Sequence, residues 1–237
     1  MGWKNIDGCA GTRCHSLTLH PCIFAEVFMV LSRNNSLTVL FLISSEGYFG
    51  AENMLVTLAT ALDKQGCRCI VGVFSDSRFH RTEVADRAHA QGLKVELVPC
   101  AGRCDWRVVR HIRNLLTRHS VDVLHPHGYK ADLYAYVTAW PHRVATVATS
   151  HNWPNPLWSM RAYAVLDRWA LRGFDRIAVV SDVVANILHH SGVRADKVCT
   201  IFNGVEIERF KSAQPTLRDE IASGEARPWY SRCQPES

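Results

Sequence analysis

The chain reads as an α/β protein built on a single doubly wound parallel sheet. Three observations predict that class. Short, continuous apolar runs recur along it, as expected of strands buried on both faces. Segments with apolar residues at helical spacing separate those runs. Glycines and small polar residues punctuate the joints between the two kinds of segment.

The core begins at Leu37, where residues 37–43 (LTVLFLI) form the first apolar run. A Gly-containing loop follows at 44–50. Residues 51–65 then carry Met54, Leu55, Leu58, Ala59 and Leu62 on one helical face, with Gly66 placed to end the helix. Residues 69–74 (CIVGVF) make the second strand, so the opening unit is strand, loop, helix, strand. A short helix at 83–91 is closed by Gly92, and a third strand follows at 94–98. The longer helix at 105–119 turns Val108, Val109, Ile112, Leu115 and Leu116 inward. The fourth strand is expected at 121–125, a helix at 130–140 and the fifth strand at 143–149. An apolar helix at 157–171, a strand at 176–180, a helix at 182–190 capped by Ser181 and a last strand at 197–202 complete the pattern. Six or seven strands alternating with helices over about 165 residues make one Rossmann-like domain.

Composition agrees with that frame. With 237 residues, 47% hydrophobic and 21% charged, the chain is neither disordered nor a low-complexity tether. The length suits one domain with appendages and excludes two full nucleotide-binding domains. The expected division is a poorly patterned extension at 1–36, a domain at 37–210 and a tail at 211–237. Met29 offers an alternative start. The net charge of +5 favours an anionic ligand or a membrane surface but is too dispersed for nucleic acid. No run approaches the ~18 apolar residues of a spanning helix. The apolar stretch at 22–31 contains Glu26 and lacks a preceding basic cluster, which argues against a secretory signal. Nine cysteines without such a signal point to a reducing, cytoplasmic setting. Cys67 with Cys69, and Cys100 with Cys104, lack zinc-knuckle spacing and read as small buried or half-buried side chains.

Four segments could carry chemistry. The loop at 44–52 (SSEGYFGAE) places Gly50 at the mouth of a helix, where backbone N–H groups can approach a phosphate. An ordinary strand-to-helix turn would look the same. Residues 122–128 (DVLHPHG) and 149–153 (TSHNW) sit at the carboxyl ends of the fourth and fifth strands, where open α/β sheets bind ligands. Their histidines and Asn152 can hydrogen-bond sugar hydroxyls, and Trp153 can stack on a pyranose face. Each histidine could equally be a satisfied structural one. His125 and His127 have neither a carboxylate nor a third ligand at suitable spacing, so no metal is expected. The fourth segment, 201–210 (IFNGVEIERF), taken alone is a turn.

Taken together, these residues resemble the N-terminal half of glycosyltransferase family 4 enzymes of the GT-B fold. G-A-E followed by an L-x-x-L-x-x-x-L helix, then D-V-L-H-P-H-G-Y-K-A-D, then T-S-H and I-F-N-G-V-E-x-x-x-F match in order and spacing. The resemblance spans roughly residues 37–210 and is most similar to sugar transferases of bacterial exopolysaccharide or other cell-envelope glycan assembly. It implies that the loop at Gly50, Ala51 and Glu52 lies against the donor diphosphate. It implies that His151 contacts the transferred sugar, and that His127, Lys130 and Asn152 help line the substrate cleft. The ligands it implies are a nucleotide-sugar co-substrate, with no separate cofactor, and a glycan or lipid-linked acceptor.

The sequence departs from the family pattern in two places. Phe49 stands where the family commonly has the first of two adjacent glycines. Only 27 residues follow Phe210, whereas the family's donor-binding domain, with its E-x7-E glutamates, needs roughly 150. The expectation is a truncated or frameshifted chain, inactive or impaired alone, or a half-enzyme completed by a separate chain. Three other readings stay open: a non-catalytic acceptor-binding module, an oxidoreductase fragment using Asp76, and a sugar-nucleotide epimerase. The missing G-x-G-x-x-G counts against the oxidoreductase. The helix at 105–119 carries Trp106, Arg107, Arg110, Arg113 and Arg118, which suits either peripheral contact with an acidic membrane or a solvated basic face.

Overall fold

The computed structural model describes residues 37–44, 47–75, 83–102, 104–139, 144–151 and 158–203, with backbone alone for 158–163. All of them belong to one unit that ends at Asn203. The strands are β1 (Thr38–Ile43), β2 (Arg68–Ser75), β3 (Lys94–Pro99), β4 (Val123–His127), β5 (Ala145–Ser150), β6 (Arg176–Val179) and β7 (Val198–Thr200). The helices between them are α1 (Gly50–Lys64), α2 (Glu83–Ala90), α3 (Trp106–Arg118), α4 (Tyr129–Ala139), α5 (Trp158–Leu171) and α6 (Asp182–His190). The sheet order is β3-β2-β1-β4-β5-β6-β7, and every neighbouring pair is parallel. This is the expected doubly wound α/β fold.

Alternate residues of β1 serve the two faces of the sheet. Leu40 and Leu42 pack with Ile112 and Leu115 of α3, Ala131 and Ala135 of α4, and Val184 and Leu188 of α6. Val39, Phe41 and Ile43 pack with Leu55, Ala59 and Leu62 of α1 and with Val84 and Ala88 of α2. All six residues of β1 are therefore buried, which is why that run shows no polar alternation. Gly72 leaves room on β2 for the Leu42 side chain of β1, since a Cβ there would come 2.7 Å from Leu42 Cδ2. From β1 the chain crosses to β2 on one side and later returns to β4 on the other. The strand order thus reverses between β1 and β4, and the crevice at their carboxyl ends is where such sheets bind ligands.

Most elements fall where periodicity places them, and Ser181 caps α6 through Oγ and the Val184 N–H. β4 differs: it runs over Val123–His127 rather than 121–125. His119 and Val121 donate their N–H groups to Leu115 and Leu116 in closing α3, so pairing starts two residues later. The strand also runs through Pro126, which has no N–H to donate. Pairing with β5 accordingly engages Val123, Leu124 and His127 but skips His125 and Pro126. This shift puts His127 inside the strand. Cys67, Cys69 and Cys100 are buried thiols, while Cys104 is exposed, and no disulfide joins the described cysteines.

Candidate functional site

β4 and β5 lie side by side with His127 opposite Thr149. Side chains two apart on a strand share a face, so His125, His127, Thr149 and the following His151 lie on the side of Phe41, the side covered by α1. Ring contacts confirm it. The Phe41 ring is 5.1 Å from His125 and 6.0 Å from His127. His125 and His127 are 4.6 Å apart, and His127 and His151 are 5.5 Å apart. His125 Nε2 bonds Thr149 Oγ1 at 2.8 Å, and His127 Nδ1 bonds His151 Nε2 at 3.2 Å. His125 and His127 are buried, the latter 3% exposed, and His151 at the strand end is half-buried.

Burial makes these rings neutral near pH 7. Desolvation, with His151 adding to it, brings the His125 pKa down to about 3. Desolvation, then His125 and His151, hold His127 well below the ordinary value. His151 is lowered by burial while the Glu52 carboxylate pulls the other way. Neutral imidazoles serve as hydrogen-bonding groups, each with one donor and one acceptor nitrogen.

The start of α1 forms the other wall. The buried Glu52 accepts the Phe49 N–H through Oε2 at 3.0 Å, and the Tyr48 hydroxyl bonds Asn53 Oδ1 at 3.2 Å. These bonds fix the turn into the helix. Phe49 is 70% exposed, and its ring lies against Gly47, where a Cβ would come 2.7 Å from the ring. The bulky residue therefore folds back toward Gly47 rather than over Gly50. Among the described residues nothing lies within 4 Å of a Cβ built on Gly50, and the first-turn N–H groups of α1 there have no partner within the helix.

The structure thus gathers Gly50, Ala51, Glu52, His127 and His151 at one end of the sheet. Lys130 stands at the same end of the sheet but on its other face: it bonds the Gly102 carbonyl at 3.2 Å and lies 5.6 Å from the Phe74 ring. Phe74 belongs to the core on the opposite face. Asn152, Trp153 and Asp76 lie outside the described residues. Thr149 and the link from Glu52 to His151 escaped the sequence reading, although the matching two-residue spacing of H-P-H and T-S-H signalled a shared face. A pair of buried carboxyl groups, Asp132 on α4 and Asp167 on α5, was not foreseen either. Burial and then the Asp167 charge raise the Asp132 pKa well above the ordinary value. Among the described residues, no cluster of three or more His, Cys, Asp or Glu side chains is placed to hold a metal ion.

On α3, Arg118 leans toward Glu96 and Arg113 toward the Val137 carbonyl. Trp106 is 77% exposed, and Arg107 and Arg110 are exposed with it. No helix among the described residues is long and apolar enough to cross a membrane.

The profile of Glycosyltransferase Family 4 matches residues 49–209, more than half of the chain. The chain belongs to glycosyltransferase family 4. Its sheet matches the N-terminal half of GT-B glycosyltransferases. HepE from Anabaena, solved in complex with UDP, superposes with a TM-score of 0.64 at 18% identity, over 80% of this chain and 50% of that one. A glycosyltransferase from Rickettsia africae gives 0.62 at 17% identity, over 82% and 51%. UDP-GlcNAc 2-epimerase from Neisseria meningitidis, bound to UDP-GlcNAc, gives 0.58 at 13% identity, over 81% and 54%. This family 4 chain spans about half the length of these structures, and at such identities the likeness is one of fold. No curated protein matches it significantly.

Proposed function

We propose that this family 4 chain is the acceptor-side half of a nucleotide-sugar-dependent glycosyltransferase. It would serve hexosyl transfer to a lipid-linked or saccharide acceptor in cell-envelope or exopolysaccharide synthesis. The observation that carries this reading is the His127–His151 pair beside the open start of α1, at the strand-order reversal. N–H groups and positive potential at Gly50 and Ala51 suit a diphosphate leaving group. His151 supplies a neutral hydrogen-bonding group for the transferred sugar, and an acceptor enters along the ends of β4 and β5. Solved structures of the similar HepE contain UDP and UDP-glucose, which supports a nucleotide-sugar donor here.

Under this reading, transfer needs a second Rossmann-like half to hold most of the nucleotide, whether joined or supplied by a separate chain. Work would take place in the cytoplasm, with Trp106, Arg107 and Arg110 available to meet an acidic membrane face. The test titrates the purified chain with UDP-glucose and with a short polyprenyl-diphosphate sugar by ligand-observed NMR. Binding is expected to weaken about tenfold in His151→Ala, the worth of one hydrogen bond. The chain by itself should give no turnover. Turnover without any partner, or a His151→Ala variant that binds both ligands as the wild type does, would refute it. The epimerase reading is favoured by the fold shared with the Neisseria enzyme and predicts epimerisation of UDP-GlcNAc without acceptor.

A further inference from the structure

The histidine pair carries directional information. His127 Nδ1 meets His151 Nε2 at 3.2 Å, and His127 Nε2 is buried with no hydrogen-bond partner among the described residues. Its surroundings are rings: His125 at 4.6 Å, whose own Nε2 is engaged by Thr149, and Phe41 at 6.0 Å. A neutral imidazole holds one proton on one nitrogen, so two arrangements satisfy the contact. In the first, His151 donates through Nε2–H and His127 accepts at Nδ1. The His127 proton then sits on Nε2 as a buried N–H without an acceptor. In the second, His127 donates through Nδ1–H, and only a lone pair is left unpaired at Nε2. Orphaned buried N–H groups are rarer than under-used acceptors, and an unmade bond to a donor costs its full desolvation. The second arrangement is favoured.

We infer that His127 is a positioning residue that fixes His151 as the Nδ1–H tautomer, so that the site offers its ligand a neutral N–H donor, suited to an oxygen acceptor. The contact of His127 with a substrate is then indirect, which its burial requires. The pair also resists a further proton, in opposition to the Glu52 carboxylate, which favours one on His151. A protonated His151 would point Nε2–H at the Nδ1–H of His127, and relief would need His127 to shift its proton to the buried nitrogen. His151 therefore works as a hydrogen-bond donor rather than as an acid.

The functional meaning of this assignment rests on the glycosyltransferase reading, but the tautomer itself is measured on the unliganded chain. The experiment records two-bond 1H–15N correlations of the imidazole rings in the 15N-labelled 237-residue chain at neutral pH. His151 is identified by its loss in His151→Asn. Its Nδ1 should resonate as a protonated nitrogen and its Nε2 as an unprotonated one. A proton on Nε2 in the wild type overturns the proposal, whatever the variants do. In His127→Asn, whose amide can place an N–H near the lost Nδ1–H, the His151 tautomer should persist. In His127→Leu it should move to the Nε2–H form. Persistence of Nδ1–H in a folded His127→Leu chain also overturns the proposal. A wrong tautomer with ligand binding intact removes this inference alone, whereas a correct tautomer without ligand binding removes the functional reading alone.

Discussion

Acidification probes the buried histidines, because burial has made them poor bases. The His125 pKa falls from the ordinary 6.5 to about 3, through desolvation first and His151 second. Unfolding returns it to the ordinary value. The folded pKa is depressed, so the associated stability is complete above pH 6.5 and is lost as pH falls toward 3. Each pH unit within that window costs about 1.4 kcal/mol for one such group. Between pH 6.5 and pH 5, His125 alone should cost about 2 kcal/mol, a large part of the 5–15 kcal/mol typical of a domain. His127, lowered by the same burial, acts in the same direction. The perturbation is His125→Gln, which removes the titration and keeps an amide to bond Thr149. Urea unfolding of both proteins from pH 5 to pH 8 is the assay. The stability of the wild type relative to the variant should drop by about 2 kcal/mol on going from pH 6.5 to 5. Parallel curves would mean that folded His125 takes up its proton normally, and the burial reasoning would fail.

Two further substitutions extend the test to other parts of the molecule. Asp132 has its pKa raised by burial and by Asp167, so its contribution is full below the ordinary carboxylate value and is lost as pH rises. Asp132→Asn should therefore gain on the wild type in thermal melts between pH 4 and pH 8, and an unchanged difference across that range would count against a protonated pair. Gly50→Asp has open space for its side chain and puts an acid at a helix start, where it is tolerated. It should leave the melting temperature within about 2 °C of wild type while weakening UDP-glucose binding at least about tenfold, as one repelled or lost anion contact would. Unchanged binding by isothermal calorimetry would remove Gly50 from the diphosphate site.

Much of this was legible in the linear sequence. The apolar runs of β1 and β2, the inward stripe of α3 and the cap at Ser181 are local patterns, and each reports the faces of its own element. The family motifs were legible too, since H-P-H and T-S-H keep their spacing whatever the tertiary setting. The start of β4 was not, because His119 and Val121 are held by the end of α3 and only hydrogen bonding shows which element claims them. Lys130 stands in the same motif as His127, yet the first turn of α4 carries it to the opposite face, against Phe74. His127 with His151, and His125 with Thr149, are each 24 residues apart in sequence. They meet only because β4 and β5 are adjacent and in register. Sequence by itself determined the alternating elements, the α/β class and the residues available for the site. Strand order and register decided which of those residues touch, and burial decided which are charged, because both depend on neighbours remote in the chain.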